Sequence, residues 1–161
     1  MVEGDANILE EPMPVPDHIV RFILERDLCV LSTSTPEGVP HASLMSYVAE
    51  PDLQYIHMAT VASSRKWANL TANPRMAILI DEREMSLSGE RGQARALTIG
   101  GIHEPGPAED KARVLVMLRE KFPHLAGFFA RPDLETIRFK PRWLLLLTGA
   151  EQSEFIDLKN N

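Results

Sequence analysis

What this sequence lacks narrows its identity first. It has a single cysteine, Cys29, so no disulfide within the chain can staple the fold, and a reducing, cytoplasmic setting is the expectation. Cations are in deficit: 17 lysines and arginines stand against 23 aspartates and glutamates, a net charge of −6. Such a field repels a nucleic-acid backbone and an anionic membrane at long range, so neither is expected as a partner. Long apolar runs are missing too. The longest, among them residues 143–147 and 114–118, have five residues, far below the ~20 that span a bilayer. The opening MVEGDANILEEP contains neither the basic nor the apolar segment of a secretory leader, and a soluble protein is expected.

Several catalytic signatures are absent as well. The histidines His18, His41, His57, His103 and His124 show no HxH or HxxxH spacing, which argues against a metal site. No GxSxG elbow occurs, and residues 89–94, GERGQA, form neither GxGxxG nor a P-loop. Cys29 lies in an apolar stretch without a neighbouring cation, the setting of a packed thiol rather than a nucleophile.

What is present suits one globular domain: 161 residues, 44% hydrophobic and 25% charged. Residues 1–16 carry four acids and Pro12, Pro14 and Pro16, which favours an extended N-terminal arm, leaving residues 17–161 as the domain. Asp17 offers an N-cap to a helix over 17–27 with Ile19, Val20, Ile23 and Leu24 on one face. Three short strands follow between residues 28 and 58, separated by TPEG and EPD. Connections that short favour antiparallel pairing. A short helix in SSRKWANLTAN ends at Pro74, and Met76, Ile78 and Ile80 alternate inward along a fourth strand. Residues 82–94 are polar and glycine-containing, the composition of a loop or hairpin tip.

Beyond that loop, Gly100 and Gly101 mark a bulge or close approach in the next strand. Gly106-Pro107 then starts a helix with a stripe of Ala108, Ala112, Leu115, Leu118 and Phe122, before two or three strands broken at Pro141 and Gly149. The fold class expected is mainly β with α: six or seven antiparallel strands closing into a small barrel, with about three flanking helices.

The informative segment is residues 60–70, TVASSRKWANL. Ser63 or Ser64 can cap the helix, yet Arg65 and Lys66 fill the first turn, where the helix dipole favours carboxylates. An anion docked on the free N–H groups, the serine hydroxyls and the two cations removes that conflict, and a phosphate fits. The alternative is that both cations simply face solvent. On the second strand His41, Ser43, Met45 and Tyr47 share one face and Ala42, Leu44 and Val48 the other. The mixed polarity of the first face suits either a cleft or an ordinary exposed surface.

Together GVPHASLMSYV, LQYIHMAT, SSRKWANLTANPRMAILID and ALTIGGIHEP resemble the pyridoxamine 5′-phosphate oxidase-related FMN-binding split-barrel flavoproteins over roughly residues 17–150. The resemblance implies a split β-barrel homodimer with FMN in clefts at the subunit interface. By position it implies that Arg65 and Lys66 hold the phosphate beside the hydroxyls of Ser64 and Thr60. The strand His41, Ala42, Ser43, Leu44 and Met45 would run along the flavin, Met58 and Ala59 would precede the phosphate site, and Arg95 would face the ring. The lysine by which the oxidases hold substrate phosphate corresponds here to Ser46, their late tryptophan to Leu147, and their arginine-containing end has no counterpart. The implied activity is flavin-mediated redox chemistry on an unidentified small molecule rather than pyridoxamine phosphate oxidation. Alternatives are a non-catalytic flavin sensor or carrier, and an F420- or haem-binding relative.

Overall fold

Eight antiparallel strands and four helices make up the computed structural model, which describes residues 15–82 and 93–158. The N-terminal arm before Val15 and most of the expected loop at 82–94 lie outside the described residues. The strands are β1 (Leu28–Ser34), β2 (Pro40–Ser46), β3 (Val48–Ala49), β4 (Ile56–Val61), β5 (Arg75–Asp81), β6 (Arg95–His103), β7 (Leu134–Thr148) and β8 (Gln152–Asp157). The helices are α1 (Asp17–Leu24), α2 (Arg65–Ala72), α3 (Asp110–Lys121) and the one-turn α4 (Ala126–Phe129), which follows a 3-10 turn at Pro123–Leu125.

Strand order is β2-β1-β5-β6-β7-β4-β3, with β8 added beside β7. β2 and β3 therefore stand at opposite ends of the path although only Tyr47 separates them in sequence. A flat sheet of this order would put its ends tens of ångströms apart at roughly 4.8 Å per strand. The sheet has to curl until its ends meet, which makes it the half-closed barrel expected from the sequence. The continuous strand expected through Tyr47 is broken for this reason. Its amide donates to the Asp27 carbonyl at 3.2 Å rather than to the sheet, and its hydroxyl donates to the Ile23 carbonyl of α1 at 2.6 Å. Burial holds the Tyr47 phenol protonated, its pKa well above the ordinary value.

The inner face alternates as period-2 strands demand: Leu31, Met76, Ile78, Ile80, Leu97, Ile99, Leu144 and Leu146 are buried, and α1 inserts Ile19, Phe22 and Ile23. Leu24, assigned from sequence to the buried face of α1, is instead exposed, and Pro16 rather than Asp17 occupies the cap position. A satellite cluster gathers Val114 and Leu118 of α3 and Phe122 just beyond it with Phe129 and Leu134. α3 starts at Asp110, so Ala108 precedes it, and Ala112 is exposed.

Pro141 does not break β7. It stands where the outer neighbour changes from β4 to β8 and where the β6–β7 register slips, leaving Arg142 as the extra residue. A missing N–H is tolerated at such a bulge. Opposite it, the indole of Trp143 lies where a Cβ on Gly100 would stand, and the Lys140 carbonyl where one on Gly101 would stand. The glycine pair is thus required by close approach.

The convex face carries an apolar row across six strands. Leu44, Val30, Leu79, Thr98, Leu145 and Phe155 are successive cross-strand partners, with Leu44 67% and Phe155 61% exposed at its ends.

Gly101→Ala is expected to destabilise the fold by about 1–3 kcal/mol, because backbone on the neighbouring strand must move. Gly127→Ala, where a Cβ meets nothing within 4 Å, is the control and should leave the melting temperature unchanged or slightly higher. Thermal denaturation of both variants checks the close approach.

Candidate functional site

The curl brings the end of β2 against β4, and α2 leaves β4 at that seam. Thr60, buried on β4, donates its hydroxyl to Ser64 Oγ at 3.0 Å. Ser64 is the N-cap of α2 and its Oγ accepts the Trp67 N–H at 3.2 Å. No acid stands in the first turn. Arg65 is exposed and Lys66 half-buried, and among the described residues neither is paired with a carboxylate. Two unmatched cations therefore lie beside a capped helix start and two hydroxyls.

Beside this helix start lies a cavity of about 330 Å³. Leu44, Met45 and Ser46 of β2 form one side, and Ala59 and Thr60 of β4 the floor, with Lys66 at one end. The third side is Leu125, Phe128 and Phe129, from the 3-10 turn and α4. Of the residues named from sequence, Leu44, Met45, Ala59, Thr60 and Lys66 meet here, with Ser64 tied to Thr60 and Arg65 next on the helix. His41 and Ser43 face inward from β2, and His41 Nδ1 and Ser43 Oγ are buried without a hydrogen-bond partner. Ala42 is exposed on the opposite face.

Two of the named residues point elsewhere. Met58 is fully buried, its sulfur 4.0 Å from the Cys29 thiol, whose pKa burial pushes up to about 12. Arg95 lies outside the cavity lining. Its guanidinium donates to Glu82 at 2.6 Å and stacks on Phe22 at 4.8 Å, a carboxylate and ring it shares with Arg26. The hydrogen bonds from Arg95 hold the Glu82 carboxyl below its ordinary range.

Leu125, Phe128 and Phe129 carry no sequence motif. The signal available was the adjacent phenylalanine pair: neighbours on one helical turn point about 100° apart, so a single-turn helix leaves one ring outside the core.

The pyridoxamine 5′-phosphate oxidase family profile matches residues 15–148. The chain belongs to this family. Among solved structures, a haem-binding protein from Mycobacterium smegmatis superposes with a TM-score of 0.74 at 16% identity, covering 86% of this chain and 55% of that one. The present chain thus spans little more than half the length of that protein. A haem storage protein from Vibrio cholerae gives 0.67 at 21% identity, covering 85% and 96%. An F420 reductase gives 0.59 at 19%, covering 81% and 98%. At these identities the likeness establishes the fold. No curated protein matches the chain.

Around this candidate site several other charges are paired. A larger cleft of about 560 Å³ lies across α2, between Trp67, His103 and Arg138, but Lys111 pairs with Glu135 at 3.3 Å and Arg138 approaches Asp110 at 4.0 Å. His57 Nε2 lies 2.8 Å from Glu50, which also holds Arg113 at 3.1 Å. Among the described residues no group of three or more His, Cys, Asp or Glu is arranged to hold a metal, and no helix is long and apolar enough to cross a membrane.

Burial pushes the pKa of both His57 and His103 below the ordinary 6.5. The unfolded chain then binds more protons than the folded one as pH falls through 6.5, so their contribution to stability is present above that pH and lost on acidification. The melting temperature should drop between pH 7 and 5, with roughly 2–4 °C for each kcal/mol lost in a chain of this size. His57→Gln should flatten that slope, and an unchanged slope would exclude His57 as a contributor.

Proposed function

We propose that the protein binds FMN at the β2–β4 seam and carries out flavin-mediated redox chemistry on a small molecule as a homodimer. One observation carries this reading: Arg65 and Lys66, with no carboxylate partner among the described residues, stand at the capped start of α2 beside the Thr60 and Ser64 hydroxyls. A dianionic phosphate is the ligand that offsets the repulsion between those cations and the helix dipole. Membership of a flavin-binding family supports it independently.

Further support comes from the orphaned Ser43 Oγ and His41 Nδ1, since buried polar atoms without partners call for a ligand or water. In this reading Arg65 and Lys66 bind and neutralise the phosphate, Ser43 and His41 supply hydrogen bonds from β2, and Leu44, Met45 and Ala59 exclude water from the ring. Bound FMN supplies hydride or single-electron transfer. The chain's own task is positioning and desolvation. Two structural relatives are a haem-binding and a haem storage protein, but the two cations and two hydroxyls gathered at the start of α2 match the phosphate of FMN and favour the flavin reading. The absorption spectrum of the FMN-titrated protein distinguishes flavin from haem.

The homodimer rests on the convex apolar row. Exposed Leu44 and Phe155 at its ends and half-buried Val30, Leu79, Thr98 and Leu145 between them form a mainly apolar patch of the kind that marks an interface, and a symmetric copy would bury it on both chains at once.

The Arg65→Ala/Lys66→Ala double variant should fold yet bind FMN roughly a hundredfold more weakly, since each charge-assisted hydrogen bond contributes about 1.5–3 kcal/mol. Equilibrium titration of flavin fluorescence measures it, and wild-type occupancy in that variant would remove the phosphate assignment. Light scattering should give twice the 18.0 kDa chain mass, and Leu44→Asp with Phe155→Asp should return it to one chain.

A further inference from the structure

Beyond the cofactor itself, the cavity has a composition that selects what else can enter. Among the described residues Lys66 is the one charged side chain in its lining, and the reading above commits that ammonium to a phosphate. Everything else is apolar or neutral: Leu44, Met45, Ala59, Leu125 and the two phenylalanines, with the hydroxyls of Ser46 and Thr60. Phe129 is buried against Phe122, their centroids 6.4 Å apart, and anchors α4. Phe128 meets Phe129 edge-on at 5.4 Å and remains 37% exposed at the cavity wall.

We infer that the second ligand of this site, the molecule that exchanges electrons with the cofactor, is an uncharged aromatic compound of one or two rings. The inference rests on the FMN reading and names its substrate class. A carboxylate or phosphate on such a molecule would exchange water for an apolar wall with no cation free among the described residues to receive it, a loss of several-fold or more in affinity. A cationic substituent finds no carboxylate in the lining either. A flat neutral ring, by contrast, gains edge and face contacts with Phe128 and dispersion against Leu125 on the wall facing the flavin side of the cavity. Selection therefore comes from a wall without charge.

The test uses FMN-loaded full-length protein and two probes of the same ring size, 2-naphthol and naphthalene-2-sulfonate, followed by perturbation of the flavin visible band and by calorimetry. The neutral probe should bind at least tenfold more tightly than the anion. Phe128→Ala should weaken 2-naphthol about tenfold, with Phe128→Leu intermediate. Ser46→Lys, which places a cation in the lining, should bring naphthalene-2-sulfonate to equal or tighter binding than 2-naphthol. Equal binding of both probes to the wild type, or 2-naphthol affinity indifferent to Phe128→Ala, overturns the inference while leaving FMN binding intact. If the wild type takes up no FMN, the cofactor reading fails before either probe is added and the substrate class falls with it.

Discussion

The single-residue passage from β2 to β3 at Tyr47 governs this structure. Because the two strands occupy opposite ends of the sheet, one residue can join them only if the ends are brought together. The phenol is anchored in α1 through the Ile23 carbonyl and the amide through Asp27, so the crossing is fixed by hydrogen bonds as well as by burial. The seam it creates sets the last residues of β2 against Ala59 and Thr60, and α2 begins four residues beyond β4. The candidate cofactor site is thus a product of closure, and the three elements that form it become neighbours through Tyr47.

Charge distribution adds a second layer. An acidic chain might be expected to cover its cations, and for the most part it does. Arg26 and Arg95 share Glu82, Arg113 bridges Asp110 and Glu50, and Arg131 pairs with Asp133. Arg65 and Lys66, which have no carboxylate partner among the described residues, differ from these in standing side by side at a helix start. Their position at a helix start, where carboxylates are favoured, costs a few tenths to one kcal/mol each until an anion arrives.

Much of this was legible in the sequence because local chemistry and tertiary structure agree. The alternation of Met76, Ile78 and Ile80, the Ser64 cap and the Gly100-Gly101 bulge each follow from the residues themselves and are found in place. The misses share a cause. The break at Tyr47 and the passage of β7 through Pro141 depend on which strand lies alongside, information that no local window contains. The same holds at the site. Arg65 and Lys66 announce themselves by their place on a helix, whereas Phe128 gains significance only once α4 folds across the seam. Arg95, read as facing a ring, is occupied by Glu82, a partner thirteen residues back that strand pairing brings beside it.

The location of β8 carries a last consequence. Among the described residues it pairs with β7 alone, so one flank of the sheet ends in a strand whose outer backbone groups have no described sheet partner. Glu151 and Glu154 are exposed there, and a second chain adding edge to edge would bring like charges into register. Edge-to-edge growth into an extended ribbon is thereby disfavoured.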